Sequence, residues 1–199
     1  MSNTAQAPGQ AKSKTSQQST ATTVNVMTIV DTDAITAVYP KNPKANKDTP
    51  TGLNHHEGII MTCPIENFVG HINNDPANLE FSANVGDWIA FRAITVSANS
   101  EDAVILYYVA SLDSTNVFNP KSFGPEKETR SGAVVPDTST DDGLPALQET
   151  ETFYSYNAMV GNKGQEKLGI RFALYQLDEH REKQELYDYF WFDPQIDVK

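Results

Sequence analysis

One cysteine, no N-glycosylation sequon, no membrane-length apolar run and few positive charges bound this 199-residue chain before any motif is considered. With Cys63 alone, no intramolecular disulfide forms. Its neighbourhood, Gly58 to Pro64, is apolar and holds no basic partner that would activate a thiol, so a small buried hydrophobe is expected. Nothing in the chain asks for an oxidising compartment. No segment approaches the roughly 20 apolar residues of a membrane-spanning helix. The first 23 residues lack the apolar core of a secretory signal and the arginines of a transit peptide. A soluble, cytoplasmic protein is the expectation.

The shortage of cations has its own consequence. Net charge is −11, and the first 23 residues carry only Lys12 and Lys14, so removing these two charges takes the remainder to −13. Such a field repels phosphate backbones and anionic lipid, which argues against nucleic-acid and membrane partners. Signatures of catalysis are missing too. There is no Gly-x-Ser-x-Gly elbow and no phosphate-cradling Gly-rich loop, the paired carboxylates Asp141-Asp142 fall in a loop expected to be exposed, where pKa tuning is weak, and no enzyme activity is expected.

What the chain does contain is β-strand pattern. Nine Phe, eight Tyr and two Trp suffice to fill a core. Residues 1–23, rich in Ser, Thr, Gln and Ala, read as a disordered tail, and residues 24–199 as a single domain. Val24 to Val30 alternates as an opening strand. Glu57 to Cys63, Leu79 to Ala83, Trp88 to Ser97 and Ala103 to Leu112 follow, punctuated by turn-formers such as Asn84-Val-Gly-Asp87. Ser114 to Thr129 reads as loop, Gly132 to Pro136 as a short strand at best, and Phe153 to Val160 as a strand. Gly161 to Gly164 suits a hairpin turn, and Leu168 to Leu177 with Glu185 to Phe192 close the set across a charged connection. Helix is scarce, with Asp178 to Glu185 its only local candidate. The sum predicts an all-β, antiparallel two-sheet β-sandwich, jelly-roll or Ig-like.

Several of these segments, taken in order, resemble the AidA/PixA family of bacterial inclusion-body proteins. They are Val26 to Asp33, Ala83 to Arg92, Asp102 to Tyr107, Gly143 to Pro145, Phe172 to Tyr175 and Tyr189 to Pro194. The resemblance implies a small, abundant cytoplasmic protein able to accumulate in intracellular inclusions. Some such proteins are methionine-rich, whereas this chain has four Met, which speaks against methionine storage.

Candidate sites are few. His55, His56, His71 and His180 lack the spacing of a zinc site, and adjacent strand histidines face apart. Asp137, Asp141 and Asp142 form an oxygen-rich turn, but an EF-hand would need Gly and an acid where Asp142 and Gln148 stand. Together with a second acidic turn at Asn99 and Asp102, they form the candidate ligand site, for a glycan or calcium; no other cofactor is implied. Five aromatics crowd residues 187–192. Alternation puts Tyr187, Tyr189 and Trp191 on one face, where they are candidates for homo-oligomer contacts. Two functions emerge: a self-associating, non-enzymatic protein of inclusions, or a lectin-like module using the acidic turns.

Overall fold

The computed structural model describes residues 21–199. Twelve strands are hydrogen-bonded into one mixed sheet, which curls into a nearly closed barrel around a single core. In chain order they are β1 (Thr23–Val30), β2 (Thr51–Gly52), β3 (Ile59–Thr62), β4 (Phe68–His71), β5 (Leu79–Phe81), β6 (Trp88–Thr95), β7 (Ala103–Ser111), β8 (Phe118–Val135), β9 (Leu147–Val160), β10 (Gly164–Leu177), β11 (Gln184–Phe192) and β12 (Gln195–Val198). The path runs β3-β1-β6-β9-β8-β7-β10-β12-β5-β4, with β11 pairing β10 and β2.

The expected antiparallel two-sheet sandwich, jelly-roll or Ig-like, is therefore corrected to an all-β mixed sheet. Three pairings are parallel: β1 with β6, β2 with β11 and β12 with β5. Local alternation identifies strands but carries no information on partners far away in sequence. Turn chemistry also misleads here. The Gly161 to Gly164 turn joins β9 to β10, yet β9 pairs only β6 and β8. Likewise β6 and β7, separated by a tight turn, have different ladder partners.

Burial explains the strands that were legible. In β1, Val24, Val26, Thr28 and Val30 are buried while Asn25 is exposed, the period-2 pattern of a strand with one core face. β10 organises the far side. Its first four residues pair β12, and from Ile170 to Leu177 the same edge pairs β11, with β7 along the other edge. Phe172 and Phe190, facing each other across β10 and β11, stack with centroids 5.7 Å apart.

One helix interrupts the strands. Asp31 caps α1 (Thr32–Val38) by accepting the Ala34 N–H at 3.1 Å, and the helix buries Ile35. Sequence pattern assigns Asp31 to Asp33 only the ending of β1, but an Asp in that place also starts a helix. Gly58 allows this packing, because its φ is +70° and a Cβ there would lie 2.6 Å from the Asp31 carbonyl. Asp178 to Lys183 forms a turn between β10 and β11, as its position between strands suggested, and Gln184 and Glu185 already belong to β11.

The expected disordered stretch falls mostly on residues 1–20, outside the described residues. Its boundary moves: Thr23 is already in β1, and Thr22 bonds to the body through both backbone groups.

Candidate functional site

The largest departure from the expected layout is the stretch read as loop. Residues 118–135 form one long strand, β8, paired with β9 from Val160 back to Leu147. Only the inner ends of this pair join the body. β6 reaches β9 between Tyr156 and Met159, and β7 meets β8 at Ala110 and Ser122. From Glu126 to Val135 and from Leu147 to Ser155, the two strands pair with nothing but each other among the described residues.

Side-chain exposure shows that this ribbon stands free. Glu126 to Arg130 and Leu147 to Tyr154 are all exposed. Consecutive strand residues point to opposite faces, so neither face is covered. The arm reaches roughly 30 Å at the usual rise of a strand. It carries Val134, Leu147, Phe153 and Tyr154 to solvent, with Leu144 in the connection at its tip. A two-stranded ribbon alone is marginal in water.

The acidic turns are placed apart. Asp137, Asp141 and Asp142 lie at the tip of the arm, between β8 and β9. Asp137 accepts both the N–H and the hydroxyl of Ser139, which hold its carboxyl below the ordinary range. Asp142 accepts the Leu144 N–H at 3.1 Å. Asn99 and Asp102 belong to the turn between β6 and β7. Asn99 Oδ1 accepts the N–H groups of Thr95 and Val104, and Asp102 accepts that of Leu177. The cleft that Asp102 lines takes in Asp31, Asp33, Glu101, Asp178 and Arg181, not the 137–142 turn. The Asp137 and Asp142 carboxylates thus fasten their own turn, and that of Asp102 ties its turn to the end of β10. Among the described residues, no group of three or more His, Cys, Asp or Glu is placed to hold a metal ion. His56 instead straps two loops, with Nδ1 2.7 Å from Asp75 and Nε2 3.5 Å from Asp193.

The aromatic face of β11 also needs correction. Opposite Leu174 and Tyr175 of β10, β11 carries one extra residue, Tyr187, which has no direct partner and turns inward. Tyr187 is 5% exposed, and its hydroxyl donates to the Tyr39 carbonyl at 2.6 Å. It therefore does not share a face with Tyr189 and Trp191. Those two are half-buried: Tyr189 packs edge-on against Tyr107, and Trp191 lies against Gly52 of β2.

Sequence pattern missed the arm because its strands are polar on both faces, and alternation of apolar and polar residues is what marks a strand. The available signal was the adjacent pair Phe153-Tyr154 within a polar, threonine-containing run.

The chain is thus an all-β, barrel-like body from which one long two-stranded arm stands out. A family model for the inclusion body protein PixA matches residues 22–198. The chain belongs to the PixA family of inclusion body proteins. It is similar in fold to the crystal structure of a PixA inclusion body protein from Burkholderia cenocepacia J2315, at 22% identity and a TM-score of 0.65. The match covers 92% of this chain and 99% of the other. No curated protein matches the chain.

Proposed function

We propose that this chain is a self-assembling, non-enzymatic protein that accumulates in the cytoplasm as oligomers or dense inclusions, using the β8–β9 arm as its contact element. The observation that carries this reading is the arm itself: two strands uncovered on both faces and unpaired along both outer edges. An open strand edge pairs readily with another strand, and native proteins blunt such edges unless they are used. Val134, Phe153 and Tyr154 supply apolar surface for a second copy to bury. Family membership supports the same reading. The arm is preferred to Tyr189 and Trp191, whose rings already pack within their own chain.

A stable association needs roughly 1,200 Å² of total buried surface. A roughly 30 Å ribbon, gripped along an edge and a face, has room for that. The test is light scattering on the full chain beside a variant in which residues 128–152 are replaced by an Asn-Gly turn. The full chain should be a dimer or larger, and the shortened chain a monomer with an unchanged core. A monomeric full chain at millimolar concentration, or identical assembly by both proteins, would overturn the proposal.

A further inference from the structure

Where the arm leaves the body, the outer face of β1, β6, β9 and β8 carries a polar groove of about 520 Å³. Register builds it. Asn25, Ala90, Asn157 and Gly124 lie side by side across the four strands. Ala90, small and buried, forms the floor of this row, and at its β8 end a Cβ on Gly124 would meet nothing within 4 Å. Arg92 on β6, with Ser155 on β9 and its partner Glu126 on β8, forms the next rank on the same face.

Asn157 is the informative residue. It is 9% exposed, and its Nδ2 donates to Glu126 Oε2 at 2.7 Å. That bond fixes the amide, because the flipped group would set an oxygen against a carboxylate oxygen. The buried Oδ1 is then left with no donor among the described residues. A buried acceptor without a partner is costly, and native structures keep few of them. Other capacity is spare as well. Ser155 is buried with no side-chain hydrogen bond among the described residues. Arg92 spends Nε on Asn25 Oδ1 and Nη1 on the Tyr154 carbonyl, leaving Nη2 free of protein partners among the described residues.

We infer that this groove is a binding site for a neutral, polyhydroxylated ligand, a short saccharide. The groove offers acceptors at Asn157 and Glu126 and donors at Arg92 and Ser155, which matches hydroxyl groups that both give and take hydrogen bonds. The charged residues lining the groove, Arg92 and Lys127 against Glu126 and Glu128, balance on a chain whose net charge is −11. A phosphate or carboxylate ligand would face Glu126. An added β-strand finds nothing to pair with, because the backbone here is already engaged in the β1–β6–β9–β8 ladders. Exposed aromatics flank the groove on the same face: Trp88, 41% exposed, two residues before Ala90, and Phe153, 43% exposed, two before Ser155. Each is about 7 Å along its strand from its neighbour in the groove, within reach of the next sugar ring. Apolar faces of sugar rings pack on such side chains while a few placed polar groups fix orientation.

The test is an NMR titration of the full chain with maltotriose, cellotriose and N,N′,N″-triacetylchitotriose, each up to 20 mM (roughly twentyfold above a millimolar Kd). At least one should shift both the Asn157 side-chain amide and the Trp88 indole N–H. Asn157→Ala should weaken that binding about tenfold or more, and Trp88→Ala severalfold without lowering Tm. Should Asn157→Ala fail to fold, Arg92→Leu and Trp88→Ala carry the comparison, each expected to weaken binding. The inference is overturned if none of the three saccharides moves these signals, if free amino acids move them instead, or if the folded variants bind as the parent does.

Discussion

Asp87, at the start of β6, accepts the Thr22 N–H on Oδ1 at 3.0 Å, tying the entry to β1 across 65 residues of sequence. Its Oδ2 accepts the Asn84 N–H at 2.8 Å, and the Trp88 N–H returns to the Thr22 carbonyl at 2.8 Å. A single carboxylate thus closes the turn before β6 and fixes the start of the parallel ladder.

Burial would raise the Asp87 carboxyl, but the N–H groups of Thr22 and Asn84 outweigh it and hold the group below its ordinary value. A depressed folded pKa adds stability that is fully present above the unfolded value of about 3.9 and is lost as pH falls through the folded one. Asp87→Asn should cost about 1–3 kcal/mol at pH 7. In urea melts, the gap between parent and variant should narrow below about pH 4. A gap independent of pH would show that ionisation of Asp87 contributes nothing.

The same contacts set where the chain tolerates trimming. A protein beginning at Ala21 keeps both Thr22 backbone bonds, whereas one beginning at Val24 loses them along with the first residue of β1. Loss of about 2 kcal/mol corresponds to a Tm lower by roughly 4–8 °C in a domain of this size. Calorimetry giving equal Tm for the two truncations would contradict this account.

Burial, helped by the Glu66 carboxylate, pushes the Cys63 thiol up to about 11. Thiolate is the reactive form, so at pH 8 alkylation by iodoacetamide should run on the order of a hundredfold slower than for an unhindered thiol. The rate should rise steeply between pH 9 and about 11 as thiolate forms. A rate at pH 8 equal to that of free cysteine would remove the claim.

The legible parts of this structure are those where one face is core and the other water. β1, β6, β7, β10 and β11 announced themselves by Val, Ile and aromatic residues at alternate positions, or in runs bounded by Asn, Gly and Asp. Pairing was not legible, because the β1–β6 ladder is parallel and joins residues whose turns point elsewhere. Tyr187 shows a finer limit. Its facing is decided by a register shift opposite Leu174 and Tyr175, where Tyr187 is itself the extra residue of β11, and strict alternation along β11 cannot detect that. As for sites, Asn99, Asp137 and Asp142 looked like ligands for the reason they are good at turns: short polar side chains bond nearby backbone. The groove at Asn157 draws two or three residues from each of four strands far apart in sequence, so no local motif betrays it.

The pairing of β12 with β5 and β10 makes four residues the bridge between two stretches of wall that have no ladder to each other among the described residues. Ile196 and Val198 are fully buried there, so a molecule in which this short strand lifts away opens a seam straight into its interior.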